Sequence, residues 1–117
     1  GWVDLGPLMA GQIDLFPARP DYFTYFDELF RNAGKTKIII VFMPLAQKLL
    51  TSRSVDLTRE FNREAAGMFR QSAVGIWDMT WEMDEDEFYS TTHMTEKNHR
   101  AFARLLFKRI HKELYHS

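Results

Sequence analysis

The sequence predicts an α/β domain in which a parallel sheet is covered by helices on both sides. Three observations carry this. The run "KIIIVFMP", residues 37–44, is continuously β-branched or aromatic, the pattern of a strand buried on both faces rather than an alternating one. A second, shorter run of the same kind, "AVGIWD", covers residues 73–78. Between and around them lie amphipathic stretches, so that residues 21–117 read as helix, strand, helix, strand, helix, the alternation expected of βαβ units.

Each element has its own signals. Residues 1–20, "GWVDLGPLMAGQIDLFPARP", hold three of the four prolines and read as an irregular apolar segment with a short strand at residues 2–5. Asp21 can cap a helix in which Phe23, Phe26, Leu29 and Phe30 recur near helical spacing, and Gly34 stops it after Ala33. A helix starting at Ser54 or Asp56 and ending near Ser72 would turn Leu57, Phe61, Ala65, Met68 and Phe69 inward. The last helix takes Thr95 as its N-cap and buries Phe102, Leu105, Leu106, Ile110 and Leu114.

A chain of 117 residues buries one core, so it reads as a single domain or the C-terminal half of one. Two strands are too few for a self-sufficient doubly wound sheet, since sheets commonly have about four to six. The sheet is therefore expected to be incomplete in this chain: residues 37–43 should have a strand on each side, at least one of them from outside residues 21–117, supplied by residues 1–20, by a further chain segment or by a partner.

Charge and composition narrow the function classes. With 45% hydrophobic residues, 26% charged residues and a net charge of -1, the chain falls in the range of ordinary globular domains. A nucleic-acid platform usually shows a basic stripe and a raised pI, whereas the pI here is about 6.5, so no nucleic-acid partner is expected. Basic residues do gather late, at Arg100, Arg104, Lys108, Arg109 and Lys112, a pattern that fits a solvated helix face and, less often, a phosphate or anionic-membrane contact. No apolar run approaches the ~20 residues of a membrane span, and no signal-peptide pattern opens the chain. It begins at Gly1 and reads as a processed product or a piece of something longer. With no cysteine there is no thiolate ligand and no cysteine nucleophile.

The chemistry-bearing stretch is "FYSTTHMTEKN", residues 88–98, which follows an aspartate at a strand end, Asp78, and an acidic loop. Ligands of open α/β sheets bind beyond the carboxyl ends of the strands, so His93 sits where such folds place reactive groups. The block resembles the last conserved block of the SGNH (GDSL-type) hydrolase superfamily, F-Y-D-x-x-H before a closing helix. "KIIIVFMPLAQKLL" in turn looks like the strand and proline turn of its periplasmic branch of alginate O-acetyltransferases and D-alanine transfer proteins. The resemblance spans about residues 21–115. It implies a three-layer α/β/α architecture with a mainly parallel, flavodoxin-like sheet, an acyl ester or acylated glycan as substrate, no cofactor and an extracytoplasmic location. It also implies that His93 is the base that deprotonates a serine nucleophile, because a hydroxyl is a poor nucleophile until a neighbour takes its proton.

Two departures follow from the residues themselves. Ser90 occupies the position of the aspartate that orients the base, and a serine lacks the charge that stabilises an imidazolium. Asp86, or its neighbours Asp84, Glu85 and Glu87, could fold back to replace it, although "DEDE" reads first as a solvated acidic loop. There is also no G-D-S nucleophile block and no G-x-N-D block, so the serine is expected outside this chain. The site set is therefore His93, Ser90 and Asp86. The alternative is a catalytically inactive SGNH-like module that binds a glycan or a protein, or serves as a scaffold. A metal centre is not expected: His93, His99, His111 and His116 do not form H-E-x-x-H, and the acidic run lacks calcium-loop spacing. Trp77, Trp81, Phe88 and Tyr89 are expected in the core, or else lining a carbohydrate or acyl pocket.

Overall fold

The computed structural model describes residues 22–69 and 74–115. In order these form α1 (Tyr22–Asn32), β1 (Ile38–Phe42), a short 3-10 turn (Gln47–Leu49), α2 (Ser52–Met68), β2 (Val74–Asp78) and α3 (Glu96–Tyr115). The expected order of elements is the observed one, and the class is a small α/β fold. The expected strand at residues 2–5 and the cap at Asp21 lie outside the described residues.

β1 and β2 pair in parallel, with Ile38 opposite Val74 and Phe42 opposite Asp78. A parallel pair cannot be joined by a tight turn and needs a crossover, which α2 provides. All five β1 residues are half-buried rather than fully buried. Among the described residues β2 is β1's one strand neighbour, and the expected second neighbour is not found among them.

Because side chains alternate along a strand, the sheet presents two different faces. Ile39, Val41 and Trp77 join the core, where Ala46, Leu49, Met79, Phe88, Met94 and Phe102 are buried together and Leu106 and Ile110 of α3 pack around them. Phe42, Ile76 and Asp78 instead line a groove with Arg59, Asn62, Arg63 and Ala66 of α2. The end of α2 is closed by a separate aromatic cluster. The Phe69 ring packs tilted against Phe26 and edge-to-face against Phe30 of α1, at 5.1 Å and 5.5 Å between ring centroids. Gly34 follows α1 with φ +61°, the left-handed conformation that lets a glycine end a helix.

The helices deviate from expectation in two informative ways. α2 starts at Ser52 because Thr51, not Ser54 or Asp56, is its cap, its hydroxyl accepting the Ser54 amide at 3.1 Å. Its buried stripe is Ser54, Val55, Asn62 and Ala65, while Met68 is 52% exposed and Leu57 and Phe61 are only half-buried. The stripe is turned because Asn62 has a polar task inside: its amide donates to the Thr80 hydroxyl at 2.9 Å and, at 3.4 Å, to the Asp78 carboxylate. In α3, Phe102 is buried as expected but Leu105 is 39% exposed, and the Leu114 side chain is not described.

Asn62→Ala is expected to cost about 1–3 kcal/mol of stability, the range for stranding a buried hydrogen-bonding group, because Thr80 is only 2% exposed. Denaturant unfolding monitored by circular dichroism checks this; a change within about 0.5 kcal/mol, the size of an ordinary surface substitution, would deny Asn62 that role.

Candidate functional site

The site is assembled by the segments that leave the two strands at their carboxyl ends. After β1, residues 43–46 are clamped on both sides: the Leu45 amide donates to the Thr80 carbonyl at 2.9 Å and the Ala46 amide to the Thr91 carbonyl at 3.0 Å. After β2, the Thr80 amide returns to the Asp78 carboxylate at 3.1 Å, an Asx-type turn that bends the chain sharply. The acidic loop is organised in the same way, with the Asp86 amide donating to the Asp84 carboxylate at 3.0 Å and the Glu87 amide to the Asp84 carbonyl at 3.1 Å.

The histidine block then closes on itself. Phe88 and Met94 form an antiparallel bridge and bury both side chains in the core, so the five residues between them form a tight loop that buries Ser90 and Thr91 and exposes Tyr89, Thr92 and His93. Within it the Tyr89 amide donates to the His93 carbonyl at 2.6 Å, and the His93 amide to the Ser90 carbonyl at 3.4 Å. Thr95 fixes the exit. Its amide donates to the Glu87 carbonyl at 3.0 Å, its hydroxyl donates to the Glu87 carboxylate at 2.9 Å, and its oxygen accepts the Asn98 amide at 3.4 Å as the expected N-cap. The buried Asn98 side chain ties α3 back to the Asp84 carbonyl at 2.8 Å.

This brings together His93 and Ser90. The Ser90 Oγ lies 3.3 Å from His93 Nδ1, and Ser90 is only 5% exposed whereas the imidazole is exposed. A residue three positions before the histidine thus faces the ring nitrogen that an orienting group would hold. Thr92 supplies a second hydroxyl, its Oγ1 3.1 Å from the same Nδ1. When Nδ1 carries the ring proton these oxygens accept it, and the basic lone pair belongs to Nε2.

The structure takes Asp86 elsewhere. Its carboxylate pairs with the Lys48 ammonium, and Glu85 accepts the Lys48 backbone amide at 3.1 Å. The hydrogen bond that the Lys48 ammonium donates to Asp86 raises its pKa above the ordinary value; partial desolvation opposes this, and the charges of Asp86, Glu85 and Asp84 reinforce it. Glu87 serves Thr95 and lies 3.9 Å from the Lys97 ammonium. The acidic run is thus a tether between the 3-10 turn and the start of α3.

A second feature at the strand ends is the groove of about 550 Å³ between β1, β2 and α2, within the size range of small-molecule pockets. Its floor is Phe42, Ile76 and Ala66. Arg59 lies 5.6 Å from the Trp81 ring centre, a cation–π distance, and Arg63 and the Asp78 carboxylate complete the polar rim. Of the four aromatics in question, Trp77 and Phe88 are core, Trp81 lines this groove and Tyr89 is 66% exposed. No group of three or more metal-ligating side chains gathers among the described residues.

Sequence reasoning missed Thr92 and Asn62. The signal for Asn62 was its place in the stripe Val55, Asn62, Ala65, Phe69, where a polar residue interrupts helical apolar spacing. Thr92 carried no signal beyond its adjacency to His93. Set against known proteins, the chain matches no family model, no curated protein and no solved structure.

Proposed function

We propose that this chain is the base-bearing part of an SGNH-like esterase or O-acyltransferase domain acting on acyl esters or acylated glycans. In this reading His93 takes the proton of a serine hydroxyl supplied by another segment. The serine oxygen bonds to the acyl carbon, the proton passes to Nε2 and then to the departing alcohol oxygen. Water or an acceptor hydroxyl afterwards takes the acyl group by the same route in reverse.

The observation that carries the reading is the 3.3 Å approach of Ser90 to His93 Nδ1. It is the contact expected if the block resembles F-Y-D-x-x-H and if the residue in the aspartate position still faces the ring. The architecture fits as well: α3 residues pack with Ile39, Val41 and Trp77, and α2 residues line the groove with Phe42 and Ile76. These contacts support the reading of a three-layer α/β/α domain, in which the remaining strands would come from another segment or a partner.

The inactive-module reading is favoured by one specific observation: the group at Nδ1 is an uncharged hydroxyl in place of a carboxylate. A fluorophosphonate, which captures activated serines covalently, separates the two. Treated as the longest protein containing this chain, the enzyme should gain one adduct on a serine outside residues 1–117, at a rate lowered by about 10²-fold or more in His93→Ala. No adduct at any pH would leave the binding module as the reading.

A further inference from the structure

α3 carries a charge that the rest of the chain does not. It holds six cations, Lys97, Arg100, Arg104, Lys108, Arg109 and Lys112, against Glu96 and Glu113, a formal net of +4 in a chain of net -1. Several of the six are engaged: Arg100 pairs with Glu96, Lys97 approaches Glu87, and Arg109 lies 4.9 Å from the Trp77 ring centre. Arg104 and Lys108, one helical turn apart, are exposed and form no ion pair among the described residues.

The same face exposes apolar side chains. Phe107 is 71% exposed and Leu105 39%, and together with Ala101, Ala103, Arg104 and Lys108 they line a shallow depression of about 730 Å³. At 100° per residue these two side chains flank the Arg104–Lys108 row, opposite the Phe102, Leu106 and Ile110 stripe that packs on the core. A cationic row bordered by an exposed aromatic and an exposed leucine is poorly suited to a second copy of itself, because the two rows would repel. It complements a surface that is anionic at its boundary and apolar beneath. A long cationic side chain can keep its head among phosphates while a neighbouring ring enters the acyl region.

We propose that the outer face of α3 docks the protein onto an anionic lipid bilayer, with Arg104 and Lys108 among the headgroups and Phe107 inserted between acyl chains. No described helix is long and apolar enough to cross a membrane, so this is contact in the plane of the surface. The inference stands independently of the acyl-transfer reading, since neither His93 nor Ser90 takes part.

Sedimentation with vesicles of phosphatidylcholine alone, and of phosphatidylcholine mixed with phosphatidylglycerol, tests it at low and raised salt. Binding is expected on the anionic vesicles only and weakened by salt. It should fall about fivefold for each of Arg104→Gln and Lys108→Gln, and about tenfold for Phe107→Ala. All three side chains are exposed, and melting curves of the variants verify that they fold as the parent does. Equal binding to both vesicle types, no binding to the anionic ones at low salt, or unchanged binding in the glutamine variants would overturn the proposal. Binding indifferent to Phe107→Ala would overturn the insertion of the ring, and tighter binding to a DNA duplex than to the vesicles would make the face a nucleic-acid surface instead.

Discussion

His93→Ala is expected to lower ester turnover by about 10²- to 10⁴-fold, the usual contribution of a positioned general base, and to leave the domain folded. The histidine's structural part is played by its backbone: its carbonyl accepts the Tyr89 amide and its amide donates to the Ser90 carbonyl, and alanine keeps both bonds. The ring is exposed, so its removal opens no cavity in the core. The imidazole's removal deprives the buried Ser90 hydroxyl of a contact at 3.3 Å and the exposed Thr92 hydroxyl of one at 3.1 Å, and of these the buried one carries the larger stability cost, about 1–2 kcal/mol. The measurement is kcat and KM with a nitrophenyl ester, beside a melting curve. A loss confined to kcat with the melt preserved is the expected pattern, since the base acts on the chemical step. Turnover equal to that of the parent would rule His93 out as the base.

The order of elements was legible because it rests on periodicity and punctuation. "KIIIVF" has no helical spacing and is bounded by Gly34 and Pro44, and β1 fell inside the expected run. The faces were less legible than the elements. The sequence counted Met68 and Leu105 among the inward residues, since hydrophobicity was its guide, but both are exposed. The α2 stripe was misread because its register is fixed by Asn62, whose amide finds Thr80 and Asp78 across the sheet end. A hydrogen bond between residues 18 apart leaves no local trace in the sequence.

The site was legible in the same uneven way. Ser90 was placed at the orienting position only by the resemblance of its block, and the residues alone favoured an inert loop hydroxyl; its approach to His93 depends on the bridge between Phe88 and Met94, which holds the intervening residues in a tight turn. Asp86 was placed beside His93 only by proximity in the chain. Its partner, Lys48, is 38 residues away, and the pairing depends on how the 3-10 turn after β1 meets the loop after β2. Apolar spacing reports which face of a segment is dry, whereas the partner of a surface carboxylate is decided by loop geometry.

Ser90→Asp is expected to raise kcat, by a measurable part of the factor of about 10⁴ that separates a triad with its aspartate from one without it. The side chain at this position already faces Nδ1, at 3.3 Å from Oγ, and a carboxylate extends one bond further, into the 2.6 to 3.2 Å range of a working hydrogen bond. Its negative charge would stabilise the imidazolium that forms as the serine proton is taken, which the hydroxyls of Ser90 and Thr92 do only weakly. The opposing effect is burial: Ser90 is 5% exposed, so the new carboxylate depends on His93 and the turn amides for its hydrogen bonds, and a lowered melting temperature is expected alongside the gain. The double substitution Ser90→Asp with His93→Ala separates the two effects, because it keeps the buried charge and removes the base, and it should show the stability loss with no gain in rate. A rise in kcat with little change in KM would place residue 90 as a positioning residue acting through His93. An unchanged rate, with His93 still essential, would mean that the two hydroxyls already orient the ring as well as a carboxylate can.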